Sequence, residues 1–453
     1  MRFLSINPAT ELPIQEYEPH SEKQIEHILD RAVVYQKEWA KTTPEERVAL
    51  IKQIGKTLLS NMDSYAEMIT LEMGKHIRES RSEIKKCASL CEYYATHGLN
   101  ILQDEIVQTE AKKSYVCYRP LGIVLAIMPW NFPFWQVFRF GIPAILGGNY
   151  ILLKHASNVS GCSLLLQKLF NSSENNILSS LFIGNDEVAK LIADKRVAAV
   201  TLTGSTAAGK VVASIAGKHL KKCVIELGGS DPYLILEDAD IQKAAIICTD
   251  SRLLNAGQSC ISAKRMIVHQ KVYDDFLYTF KSMMESKVFG DPMEDSTHIG
   301  PQAREDLRNK LHKQVQIGLI EGAENLLGCK IPVQTGFYYP PSIVTLKDVN
   351  NPLFREEVFG PVATIIKAKD EQEAIHMAND TDFGLGGAVF TSDLEKGEYI
   401  AASLLNAGTC VVNDMVKSDP RIPFGGIKDS GFGRELAYYG PREFMNIKSV
   451  VIH

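Results

Sequence analysis

Ile123-Val124-Leu125-Ala126-Ile127 is an unbroken apolar run. The chain repeats the device at 150–153 (Tyr-Ile-Leu-Leu), 180–183 (Ser-Leu-Phe-Ile), 197–202 (Val-Ala-Ala-Val-Thr-Leu) and 223–226 (Cys-Val-Ile-Glu). Short apolar runs separated by segments of helical length predict an α/β fold: right-handed crossovers and a parallel sheet covered on both faces. Such a sheet is a nucleotide-binding architecture. Upstream, residues 21–101 carry helical periodicity and read as scaffold, and Tyr115, Cys117 and Tyr118 alternate as in a strand before Arg119-Pro120-Leu121-Gly122 breaks it. Downstream, strand-like 265–268, helices 271–286 and 302–321, strand-like 362–366, helix 370–379 and strand-like 387–390 and 409–412 predict a second α/β domain. Neither an internal repeat nor a low-complexity linker interrupts the chain, so the boundary near 227 is expected to be a tight crossover.

At 453 residues with 45% hydrophobic content the chain is too long for one core and implies two or more domains. Its 49 Lys and Arg against 54 Asp and Glu give a net charge of −5, with no basic excess to hold a nucleic-acid backbone. Apolar stretches such as 122–130 fall far short of a bilayer span. The opening Met1-Arg2-Phe3-Leu4-Ser5-Ile6-Asn7-Pro8 lacks the apolar core and cleavage site of a signal peptide, so a cytoplasmic location is expected. Nine scattered cysteines without a CxxC pair fit reduced thiols. Cys87 and Cys91 read as core positions, because two further metal ligands are missing from their neighbourhood.

One cysteine stands apart. Cys260 ends the run Asn255-Ala256-Gly257-Gln258-Ser259-Cys260, after a helical pattern (Ile241, Ala244, Ala245, Cys248, Leu253) and before the strand-like Arg265-Met266-Ile267-Val268. A thiol at a glycine-containing turn is placed for chemistry, although a cysteine taken alone is usually a small buried hydrophobe. Gly204-Ser205-Thr206-Ala207-Ala208-Gly209-Lys210-Val211 nearly matches an ATP-binding P-loop but has Val211 where a magnesium-holding hydroxyl is required. No GxGxxG fingerprint occurs either. Thr203-Gly204-Ser205 nonetheless puts the free N–H groups and dipole of a helix start where a phosphate could sit, which keeps a dinucleotide open.

Taken together, Met128-Pro129-Trp130-Asn131-Phe132-Pro133, Leu152-Leu153-Lys154, Thr203-Gly204-Ser205, Glu226-Leu227-Gly228-Gly229, Gly257-Gln258-Ser259-Cys260, Glu356-Glu357-Val358-Phe359-Gly360-Pro361 and Pro423-Phe424-Gly425-Gly426 resemble the aldehyde dehydrogenase superfamily. These blocks keep the family's order over almost the whole chain. The resemblance implies an NAD(P)-binding domain (1–103 and 121–227), a catalytic domain (228–420) and an oligomerisation arm (104–120 and 436–453) that makes a homodimer or homotetramer. It implies that Cys260 attacks an aldehyde to give a thiohemiacetal, held by the Asn131 amide and the Cys260 N–H. Hydride leaves to NAD or NADP, and Glu226, raised in pKa by burial at its strand end, activates water against the resulting thioester. Trp130, Lys154, Ser157, Gly204, Ser205, Glu357 and Phe359 are implied on the cofactor. Ser157 stands where NAD-selective relatives carry a glutamate, so both cofactors are expected. No metal is implied.

Within the superfamily, Trp135-Gln136-Val137-Phe138-Arg139, Lys154-His155-Ala156-Ser157-Asn158 and Ser418-Asp419-Pro420-Arg421 look most like bacterial succinate-semialdehyde dehydrogenases. A substrate with a distal carboxylate needs a cation at the far end of its tunnel. The resemblance assigns Arg139 and Ser418 to that task. Leu254 replaces an arginine that some members carry, which leaves Arg252 or Arg421 as a candidate second cation. Other aldehydes, glutarate semialdehyde or a broad aliphatic range, remain the alternative. Ser262 stands where some relatives place a second cysteine, so a disulfide switch is not expected.

Overall fold

A computed structural model describes residues 3–171 and 175–453, so Met1 and Arg2 of the opening segment lie outside the described residues. The apolar runs read above make the middle of a six-stranded sheet in the order Gly431–Phe432, Lys222–Glu226, Val197–Thr203, Ile123–Met128, Tyr150–His155, Leu178–Ser180. All neighbours are parallel except the edge strand Gly431–Phe432. Ile123, Leu125, Leu152, Val200 and Ile225 pack with Ile25, Leu29, Leu191 and Val212 on one face. Val124, Ala126, Ile151, Leu153 and Val224 meet Tyr94, Phe138, Ile142 and Phe170 on the other. Burial on both faces is why these strands have no polar alternation.

The run at 180–183 is displaced. Its strand is Leu178–Ser180, and after Leu181 N donates to Leu153 O (2.7 Å) the chain turns away to exchange bonds with His20. Leu181, Phe182 and Ile183 are buried without ladder partners, so their apolar character reported burial, not pairing.

The second sheet has seven strands in the order Glu324–Leu327, Ser342–Leu346, Val362–Ala368, Arg265–His269, Pro232–Ile235, Gly386–Phe390, Thr409–Val412, parallel except at the Glu324–Leu327 edge. Three of these strands, Pro232–Ile235, Glu324–Leu327 and Ser342–Leu346, are absent from the sequence reading. Each is short: Ser342–Leu346 follows Pro340-Pro341, Glu324–Leu327 follows a glycine turn, and Pro232–Ile235 follows Gly228-Gly229, with Pro232 itself opening a central strand, the one internal position where its missing N–H costs little. A three-stranded antiparallel sheet joins Glu105–Val107, Lys113–Pro120 and Met445–Ile452, the last two paired over eight positions. The helices Glu22–Trp39 and Pro44–Ser60 both open on capping boxes, Ser21 with Gln24 and Thr43 with Glu46. Helix Ile77–Ile101 packs behind helix Trp135–Leu146.

In the first sheet the chain starts at the central strand Ile123–Met128, moves outward through Tyr150–His155, then crosses to Val197–Thr203 on the other side. A crevice opens where strand order reverses in this way, beyond the carboxyl ends. The loops leaving those two strands are Pro129-Trp130-Asn131 and Gly204-Ser205.

Candidate active site

Helix Ile241–Leu253 ends in a backbone that is left-handed at three consecutive residues: Asn255 (φ 56°), Ala256 (φ 52°) and Gly257 (φ 74°). Such a conformation costs an L-residue about 1–2 kcal/mol, and surrounding bonds must hold it. Asn255 Nδ2 donates to Asn131 O (2.7 Å), Gln302 Nε2 to Ala256 O (3.0 Å), and Ala303 N to Gln258 Oε1 (2.9 Å). The fully buried Arg252 donates to Gly257 O (2.7 Å). A Cβ on Gly257 would collide with the backbone of Gly360 and Pro361. Only glycine therefore lets this turn lie against the Glu357 loop.

The turn delivers Cys260, partly exposed, into a cleft of about 430 Å3 that Trp130, Asn131, Gly204, Ser205, Glu357 and Phe359 also line. That volume lies within the range of small-ligand sites. Burial pushes the Cys260 thiol up to about 11; Arg139 and Lys264 oppose the rise, while Glu357 and Asp231 add to it. Lys264 Nζ spans Cys260 O (2.6 Å) and Glu357 Oε1 (3.0 Å), and Glu357 Oε1 also accepts from Gly229 N (3.1 Å). Asn131 is buried; its Nδ2 donates to Gln258 O (3.0 Å), which uses one of two N–H bonds and leaves the other. Among the described residues the Cys260 backbone N–H has no hydrogen-bond partner. Two donors are thus open beside one sulfur.

Across the cleft, helix Thr206–Lys218 starts with Ser205 as its cap, the Oγ accepting from Ala208 N (3.3 Å), and Ser205, Thr206 and Ala207 line the opening. Gly204 N is anchored to Glu226 O (3.0 Å). Trp130 and Phe359 meet edge to face at 5.9 Å. A helix start, a carboxylate and two aromatic rings around one crevice fit an anionic dinucleotide. Lys154 and Ser157 end the neighbouring strand and begin a short 3-10 turn outside this lining, and Lys154 is held below its ordinary pKa by burial.

Glu226 is buried beyond the cleft wall, its Oε1 unpartnered and close to where a Cβ on Gly425 would sit. Burial raises its pKa well above the carboxylate range; Arg139 opposes this and Glu435 reinforces it. Arg139 is fully buried and ion-paired with Glu435, its Nη2 donates to Thr203 Oγ1 (3.3 Å), and its guanidinium lies 4.6 Å from the Phe424 ring. Ser418 sits apart from the cofactor-sized cleft, accepting from Trp135 Nε1 (3.1 Å). Neither candidate for a second cation is free: Arg252 is spent on the nucleophile turn, and Arg421 is exposed and paired with Asp419.

The aldehyde dehydrogenase family model matches residues 1–450. The chain belongs to the aldehyde dehydrogenase family. It is similar to the succinate semialdehyde dehydrogenase [NAD(P)+] Sad of Escherichia coli (strain K12), at 43% identity over 99% of this chain and 97% of that protein. It is 42% identical to a probable succinate-semialdehyde dehydrogenase [NADP(+)] of Synechocystis, over 100% of both chains. The solved succinic semialdehyde dehydrogenase of Streptococcus pyogenes, in complex with NADP+, superposes with a TM-score of 0.96 at 36% identity over 99% of each chain. The cleft of this aldehyde dehydrogenase also has lining residues that the sequence reading passed over. Leu307, Lys310, Leu311 and Gln314 line the cleft from one face of helix Glu305–Ile320, a spacing of three and four that was readable. Glu435 left no such signal, because its partner Arg139 is far away in the chain, and the bridge that Lys264 makes from Cys260 to Glu357 is equally invisible locally.

Proposed function

We propose that the chain oxidises succinate semialdehyde to succinate with NAD or NADP. The observation that carries the chemistry is that Cys260 and Asn131, each with an unused N–H, line one cleft. Cys260, as thiolate, attacks the aldehyde carbon, and the oxygen that gains charge accepts from those two donors, which need no reorganisation at that moment. Trp130, Gly204, Ser205, Glu357 and Phe359 would hold the dinucleotide, with Lys154 and Ser157 toward its adenosine end; when bound it supplies the hydride acceptor that side chains lack. Glu226, kept protonatable by burial, takes the proton of the water that cleaves the thioester and returns Cys260. For that its side chain would have to turn from beside Gly425 toward the cleft.

The substrate reading rests on the named relatives and on Ser418, whose hydroxyl accepts from its neighbours and keeps its own proton to donate. Arg139, neutralised in part by Glu435, contributes its field near Cys260. We further assign the first sheet to cofactor binding and the second to catalysis. The three-stranded sheet, with Ile106, Val107, Ile447, Val451 and Ile452 exposed, is assigned to joining subunits. No helix among the described residues is long and apolar enough to cross a membrane. A panel of aldehydes read by NADH or NADPH absorbance tests the proposal: succinate semialdehyde is expected to give the highest kcat/KM, with both cofactors accepted. A preference for NAD above about 1000-fold, roughly 4 kcal/mol, would overturn the cofactor part.

A further inference from the structure

Lys86 stands on helix Ile77–Ile101, which packs against helix Trp135–Leu146. Its Nζ donates to Ser418 Oγ (2.8 Å) and lies 4.2 Å from the centroid of the Trp135 ring. Trp135 Nε1 donates to the same Oγ (3.1 Å), so both contacts use Ser418 as acceptor and its O–H is left to donate outward. Among the described residues no carboxylate lies within ion-pair distance of Lys86. The acids whose charge reaches it are already engaged, Glu83 by Lys75 and Asp419 by Arg421. The other charged or titratable groups that face it are Arg139, from helix Trp135–Leu146, and Cys87 beside it. A largely buried ammonium and a hydroxyl, both with donors to spare and no anion, form an incomplete receptor. Trp135 belongs to the apolar cluster that Cys260 packs against, and the charge of Arg139 acts on both Lys86 and the Cys260 thiol, so the receptor and the sulfur lie on two sides of one arginine.

We propose that Lys86, together with Ser418, binds the distal carboxylate of the aldehyde and so sets the enzyme's preference for an anionic substrate. The assignment rests on the substrate reading above. It supplies the second cation that neither Arg252 nor Arg421 provides. Burial, with Arg139 adding to it, pushes the ammonium down to about 8, so the free enzyme carries this charge at neutral pH and loses it in mild alkali.

The test compares kcat/KM for succinate semialdehyde and for butanal in wild type, Lys86→Met and Lys86→Arg. Lys86→Met is expected to lower the value for the semialdehyde at least about 30-fold, mainly through KM, and that for butanal less than about threefold, with Lys86→Arg restoring much of the loss. Equal effects on the two aldehydes, or none, would overturn the assignment. Should Lys86→Met fail to fold, the wild type decides: the ratio of semialdehyde to butanal kcat/KM is expected to fall above about pH 8, and a flat ratio counts against Lys86. A wild type that never distinguishes the two aldehydes overturns the substrate reading itself, and this assignment with it.

Discussion

Replacing Glu357 with glutamine is expected to make Cys260 more reactive in the cofactor-free enzyme. A thiol at about 11 is ionised in only about one molecule in a thousand at pH 8. Glu357 contributes to that by repelling the thiolate directly, and it also occupies Lys264, whose side chain is only 1% exposed and whose charge favours the thiolate. Glutamine keeps an acceptor for Lys264 Nζ and Gly229 N while removing the negative charge. The thiol should then fall by about one unit, close to 1.4 kcal/mol, and thiolate at pH 8 should rise about tenfold. A less basic sulfur is a weaker nucleophile, so the alkylation rate should rise only about threefold. The assay is iodoacetamide modification between pH 6.5 and 10.5, with Cys260→Ser as the blank and mass spectrometry locating the adduct. A wild-type inflection at or below pH 8, or an unmoved or raised one in the variant, would refute this account of the sulfur.

Glu226→Gln should give a burst of about one NADH or NADPH per site and then stall, the thioester persisting on Cys260. In wild type, deacylation should slow as pH falls while still above the ordinary carboxylate range, because the raised carboxyl takes up its proton early and can then accept none from water; a steady wild-type rate in the variant contradicts the role. Gly257→Ala should lower the melting temperature and cut kcat/KM at least about 100-fold, since a left-handed alanine costs about 1–2 kcal/mol before the collision with Gly360 is counted. An alanine enzyme with unchanged kinetics would mean the turn relaxes freely.

Much of the fold was legible because burial on both faces leaves no polar residues in a strand. Ile123–Met128, Val197–Thr203 and Arg265–His269 all begin where their apolar runs begin. Pro232–Ile235 and Ser342–Leu346 were not legible, since neither their length nor their flanks separate them from loop. At the site, motif residues such as Asn131, Glu357 and Phe359 share the cleft with Cys260. Charge pairing escaped the reading. Arg139 was read against the substrate's carboxylate, whereas its partner Glu435 lies almost 300 residues further along the chain. Lys86 looked like one more helix-surface lysine, because nothing local records that Ser418 and Trp135 come to meet it.

The stretch from 409 onward lends an edge strand to each of the three sheets described above: Thr409–Val412 to the second, Gly431–Phe432 to the first, Met445–Ile452 to the three-stranded one. Along the way it brings Ser418 and Glu435 to their buried partners. During synthesis, then, a nascent chain could assemble both large sheets around an unfinished pocket and still lack the pieces that tune it. Catalytic competence should appear late and abruptly, once these segments have left the ribosome, and a stalled product lacking them should carry a thiol but no selectivity.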